Sequence, residues 1–203
     1  PTLSALIARN ETDAFRTTFS QGLRLTLFFT IPAAVGLAVL REPLIRLLLQ
    51  VGEFGAKDTA MAAHAVLFYA PGLISQSAIQ ILVQVYYSLQ DTKTLVRVSA
   101  KAIIINTLLG LFFIRFTSLG HGGLALSYSL TSIWNMMSYL RGLRRAMGRI
   151  DGRRLLRSSS LSLLASAAMA VAAKTAAAAA SSGGRLMEVA VGGSTGALVY
   201  MLA

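Results

Sequence analysis

Residues 59–90 form a run of 32 positions without one Asp, Glu, Lys or Arg. As a helix rising 1.5 Å per residue, this run is about 48 Å long, more than the ~30 Å hydrocarbon core of a bilayer. A water-soluble helix keeps a charged face opposite its apolar stripe. None is present here, so the pattern predicts a membrane-crossing helix. Shorter runs of the same kind flank it. Residues 23–40 predict a span with Pro32 in its middle, where the ring removes a backbone bond and bends the helix. Residues 102–114 are uncharged, and they span only if the helix begins near Leu95, with Arg97 and Lys101 snorkelling or facing a wet cavity. Residues 122–140 predict a fourth span, and residues 158–180 a fifth, rich in Ala and Ser. Val189 onward starts a sixth that is cut short.

The polar segments between these runs punctuate the chain. Residues 1–21, with Arg9, Glu11, Asp13 and Arg16, read as a short wet connection. Residues 41–58 are too polar to span. Leu44, Ile45, Leu47 and Leu48 beside Arg46 and Gln50 predict a short amphipathic piece at the membrane surface, closed by a turn at Gly52 and Gly55. Pro71-Gly72 predicts a kink or break in the central helix. The fold class expected is therefore all-α, a polytopic transmembrane bundle of about six membrane helices.

Composition agrees with that reading. The chain is 55% hydrophobic and 13% charged, about half the charged share of an ordinary globular domain, with a mean hydropathy of +0.63. The absence of Cys removes disulfides and thiolate sites. A net charge of +11 in a soluble protein points to nucleic acid, but here the arginines fall between apolar runs, and no nucleic-acid partner is expected. Residues 141–157 hold seven Arg against one Asp, which places that loop on the cytoplasmic side. Counting back across spans puts residues 91–101 inside as well. It puts residues 41–58 outside, where three basic and three acidic side chains cancel. Pro1 in place of an initiator Met, and a chain that stops within an apolar run, predict a piece of a longer protein.

Several motifs together resemble the MviN/MurJ family of lipid II flippases. They are Pro1-Thr2-Leu3-Ser4; residues 22–54 with Pro32, Pro43 and Gly52-x-Phe54; Tyr69-Ala70-Pro71-Gly72-Leu73; residues 85–96 with their aromatic pair before Asp91-Thr92-Lys93-Thr94; Asn106; and residues 121–130. Leu95 stands where the family usually has Pro. The resemblance covers residues 1–145 by motif and the remainder by hydropathy. It implies second-lobe helices in residues 1–145, a basic cytoplasmic loop at 146–157 and an incomplete C-terminal helix pair at 158–203. It also implies a substrate, lipid II, that carries a pyrophosphate on a polyprenyl tail and crosses by alternating access. The last two helices would line a groove for that tail. The family's essential cavity cations lie upstream of Pro1. Membrane lipids and cell-wall synthesis proteins are the other partners implied. Other exporters of the same superfamily, and a non-transporting membrane scaffold, remain open beside it.

No catalytic constellation, metal set or cofactor motif is found, so a transporter rather than an enzyme is expected. Six side chains are candidates for substrate contact. Gln76, Gln80 and Gln84 repeat every four residues and share one helix face. They line a transport cavity or glue helices together by amide hydrogen bonds. Arg97 and Lys101, also four apart, receive a pyrophosphate or anchor the helix at the cytoplasmic interface. Arg24 has the same two readings. His64 and His121 have no partner set, and Gly192-x-x-x-Gly196 permits close helix approach.

Overall fold

The computed structural model describes residues 6, 11–148, 152–180 and 184–202. Among these, all regular structure is helical: α1 (Thr12–Val39), α2 (Arg41–Leu49), α3 (Ala56–Ser88), α4 (Thr92–Phe116), α5 (His121–Met147), α6 (Gly152–Ala180) and α7 (Arg185–Leu202). Six are long, and α2 is the short amphipathic piece. Stretches in α1, α3, α4 and α6 are long and apolar enough to cross a bilayer. With 27 residues, α5 has the length but carries Ser127, Ser129, Thr131 and Ser132, all buried against neighbouring helices.

The central helix α3 packs between α1 and α5, and α4 lies on α5. α6 pairs with α7 and joins the bundle through α1. The core sits at the end of the bundle where α1 begins and α3 ends: Phe15, Phe19 and Leu23 of α1 meet Ile79, Leu82, Val85 and Tyr86 of α3, with Leu95, Tyr139 and Leu143 closing it. Polar ties run through it. The Tyr86 hydroxyl donates to the Tyr139 carbonyl at 2.8 Å, and the Tyr139 hydroxyl reaches the Leu95 carbonyl and Ser99 Oγ. Each such bond contributes on the order of 1 kcal/mol, and together they fix three helices in register.

Three features differ from the sequence reading. The helix that carries the first span starts at Thr12 rather than near residue 23, because Phe15 and Phe19, 1% and 2% exposed, dock in the core. The polar residues around them had read as a wet connection. Second, α3 continues through Pro71-Gly72 without a break. Ser129 of α5 accepts from the Gly72 N–H at 3.0 Å and donates to the Phe68 carbonyl at 2.5 Å. Its hydroxyl thus bridges an i, i+4 backbone pair beside the proline, as an inserted side chain does at a helix bend. Only glycine allows this approach, since a Cβ at residue 72 would stand 2.7 Å from Ser129 Oγ. Third, the basic stretch is mostly helix. Arg141, Arg144 and Arg145 lie on the end of α5, and Arg154 and Arg157 on the start of α6. Gly148, with φ +79°, ends α5 in a conformation suited to glycine.

Candidate functional site

The three glutamines share one face of α3, opposite the buried Ala78, Leu82 and Val85. Gln80 and Gln84 are exposed and Gln76 is half-buried. None of the three amides hydrogen-bonds to another described residue, so within this chain they do not bind helix to helix. They form a polar stripe on an open face.

Arg97 and Lys101 are exposed on α4, one turn apart. Just before them Asp91 caps the helix, its carboxylate accepting from the Thr94 N–H at 3.1 Å. The Thr94 hydroxyl and N–H, then Arg97 and Lys93, hold the Asp91 carboxyl below the usual aspartate range. Arg97 lines a shallow hollow with Thr92, Lys93 and Val96. Arg24 belongs elsewhere. It does not join Arg97 and Lys101.

Arg24 faces a pocket of about 660 Å³ between α1 and α6, where Arg154 and Arg157 converge with Ser158 and Ser162. Phe28 and Tyr200 form its inner wall and also line a second space of about 310 Å³, bounded by α1, α6 and α7. That second space is a groove of Pro32, Gly36, Leu37, Leu40, Met169, Gly192, Gly193 and Gly196, with no charged side chain in its walls. Small residues make it. Gly192 and Gly196 let α7 approach Ala173 and Ala177 of α6, where an added Cβ would meet neighbours at 2.9–3.1 Å. Gly193 points into open space. At the far end, sharing Leu40, lies a third pocket of about 370 Å³ lined by Arg41, Glu42, Lys174 and Glu188.

Polar contacts tie the segments together at the two ends of the bundle. Near the arginine-rich end, Arg16 donates to the Met147 carbonyl. At the opposite end, Arg185 donates to the Arg46 and Gln50 carbonyls at 3.3 and 3.0 Å, satisfying the exposed C-terminus of α2. Sequence reasoning missed Arg154, Arg157, Phe28 and Tyr200 as site residues. Arginine density marked the 141–157 stretch, read first as a topology determinant and second as a binder of anionic lipid heads, without showing which residues converge.

Long apolar helices, a polar stripe turned away from the packed core and a lateral groove with charged ends define a polytopic helical membrane protein. A family model described as "Lipid II flippase MurJ" matches residues 1–189, and the chain belongs to this family. Similar proteins include the probable lipid II flippase MurJ of Vibrio cholerae, 38% identical over 143 residues, covering 70% of this chain and 27% of that protein. The probable lipid II flippase MurJ of Haemophilus influenzae is 33% identical over 152 residues, covering 72% of this chain and 29% of its own length. The lipid II flippase MurJ of Burkholderia cenocepacia is 30% identical over 145 residues, covering 71% and 28%. The chain thus spans under a third of these relatives. A solved structure of a lipid II flippase MurJ in an inward closed conformation shares the fold, with a TM-score of 0.74 over 98% of this chain and 40% of that one, at 24% identity.

Proposed function

We propose that this chain is the second lobe and C-terminal helix pair of a bacterial inner-membrane lipid II flippase, which moves a polyprenyl-pyrophosphate-linked peptidoglycan precursor to the outer leaflet. Family membership sets the class of activity. The observation that carries the reading to residues is the unpaired glutamine stripe of α3. Uncompensated amides on a membrane helix are costly in hydrocarbon, so this face looks onto a water-filled cavity shared with helices outside this chain. There Gln76, Gln80 and Gln84 hydrogen-bond the polar headgroup as two lobes rock about it. Arg97 and Lys101, at the cytoplasmic end of α4, draw the pyrophosphate toward the cavity. The apolar groove between α1, α6 and α7 takes the hydrocarbon tail.

The test uses the full-length gene in bacteria depleted of their own flippase, scoring lipid II that becomes accessible to an external enzyme. Restored accessibility supports the reading, and its loss on Arg97→Glu/Lys101→Glu at equal membrane abundance gives that pair its role. Restoration that survives the swap returns the pair to anchoring. No restoration from a properly inserted protein overturns the flippase assignment.

A further inference from the structure

The pocket opposite the arginine-rich end carries both signs of charge without pairing them. Arg41 and Glu42 open α2, Lys174 lies within the last two turns of α6, and Glu188 is in the first turn of α7. All four line one space of about 370 Å³. Neither Lys174 nor Glu188 forms an ion pair with a described residue. Glu42 pairs along its own helix with Arg46 at 3.6 Å, both side chains being about half exposed. Arg41 commits one N–H to the Ala38 carbonyl at 2.6 Å and keeps the rest of its guanidinium fork. An ammonium and a carboxylate in one pocket gain by touching. Held apart on separate helices, Lys174 and Glu188 leave room for a ligand that answers both.

Position and walls narrow what that ligand is. The apolar helix α1 ends at Val39, two residues before Arg41. The pocket therefore lies where a crossing helix leaves hydrocarbon, at the depth of lipid headgroups. A headgroup with neighbouring charges of both signs is a zwitterion. Choline is a poor fit, because its quaternary ammonium donates no hydrogen bond and is held by aromatic faces, and no aromatic ring is among the described walls. A primary ammonium donates three bonds, and a carboxylate accepts them in charge-assisted form. Glycerol phosphate brings an anion with no cation, which the Glu188 carboxylate repels. The space of 370 Å³ equals about twelve waters at ~30 Å³ each, enough for a phosphate, two carbons and an ammonium.

We propose that this pocket is a site for the phosphoethanolamine headgroup of a membrane phospholipid from the leaflet at that end. The phosphate oxygens accept from Lys174 and Arg41, and the ammonium donates to Glu188, with Glu42 beside it. The acyl chains stay with the surrounding bilayer. The site is independent of which lipid the protein moves.

The experiment uses the full-length protein in nanodiscs of phosphatidylcholine with equal minor shares of phosphatidylethanolamine and phosphatidylglycerol. Lipids that stay with the protein through mild detergent are counted by mass spectrometry. The wild type is expected to enrich phosphatidylethanolamine over both others about fivefold or more. Lys174→Gln and Glu188→Gln each lower that enrichment about threefold or more. Neither side chain has a described partner to lose, and either variant carries the test should the other fail to fold. The two differ in one further respect. Glu188→Gln raises the retention of phosphatidylglycerol and Lys174→Gln does not, a split that general loosening of the fold does not produce. No enrichment in the wild type, or enrichment unchanged in a folded variant, overturns the site. Phosphatidylcholine held as well as phosphatidylethanolamine makes the pocket indifferent to the ammonium, and phosphatidylglycerol held as well makes it a general anion site. Displacement of the lipid by water-soluble phosphorylethanolamine at equal concentration removes the membrane as its source. Each of these three results overturns the proposal.

Discussion

The two ends of the lateral groove are built from the same helices and differ in charge. At the arginine-rich end Arg24, Arg154 and Arg157 line the larger pocket, and no carboxylate is among its described walls. At the opposite end Arg41 and Lys174 are balanced by Glu42 and Glu188. Arg41 is further occupied, donating to the Ala38 carbonyl at 2.6 Å, and Glu42 pairs with Arg46 at 3.6 Å. An anion is therefore attracted at one end and meets no net charge at the other. Under the proposed flippase function, with the arginine-rich end facing the cytoplasm, this polarity favours capture inside and release outside. The groove between them is uncharged and makes no contribution to that difference.

Reversing the inner end has the largest expected effect. Arg24→Glu/Arg157→Glu in the full-length protein should lower lipid II export about tenfold or more, measured as outer-leaflet accessibility at matched membrane abundance. Making the outer end cationic should act more weakly and by another route. Glu42→Gln/Glu188→Gln leaves Arg41 and Lys174 uncompensated, so lipid II is held longer and export falls about threefold, with its retention in nanodiscs rising by a similar factor. The adjacent glycines sharpen the role of the groove wall. Gly192→Ala drives a methyl against Ala177 and the Ala173 carbonyl and should cost about 1–3 kcal/mol in detergent unfolding. Gly193→Ala meets nothing within 4 Å and should gain about 0.5–1 kcal/mol from helix propensity.

The smallest effect lies away from the groove, at the cap of α4. Asp91→Ala should cost about 1 kcal/mol near neutral pH. The folded carboxyl is held below its ordinary range, so its contribution is complete above the unfolded pKa and is lost as pH falls through the lower folded value. Wild type and Asp91→Ala should thus converge in acid. A gap in unfolding midpoint that persists at pH 2 contradicts this role.

How much of this was legible in the sequence follows from the range of each interaction. The central helix was visible because an absence of charge over many turns has one physical solution. The start of α1 was hidden, since Glu11, Asp13 and Arg16 mask the Phe15 and Phe19 that tertiary packing buries. The glutamine stripe could be placed on one face, but only packing shows that the face is open. The arginine pocket was out of reach of any local pattern. Arg24 and Arg157 are brought together by the α1–α6 contact, and the wall between pocket and groove is a hydrogen bond joining residues 172 apart in sequence. Arginine density gave no sign of which residues converge.

The measurement that tests the central claim most directly is the rate of outer-leaflet lipid II appearance in flippase-depleted cells carrying the full-length gene. It compares Arg24→Glu/Arg157→Glu with Arg41→Glu/Lys174→Glu at equal membrane abundance. The account predicts a severe loss for the inner reversal and a loss of about threefold or less for the outer one. Equal loss at both ends, or export undiminished by the inner reversal, contradicts it.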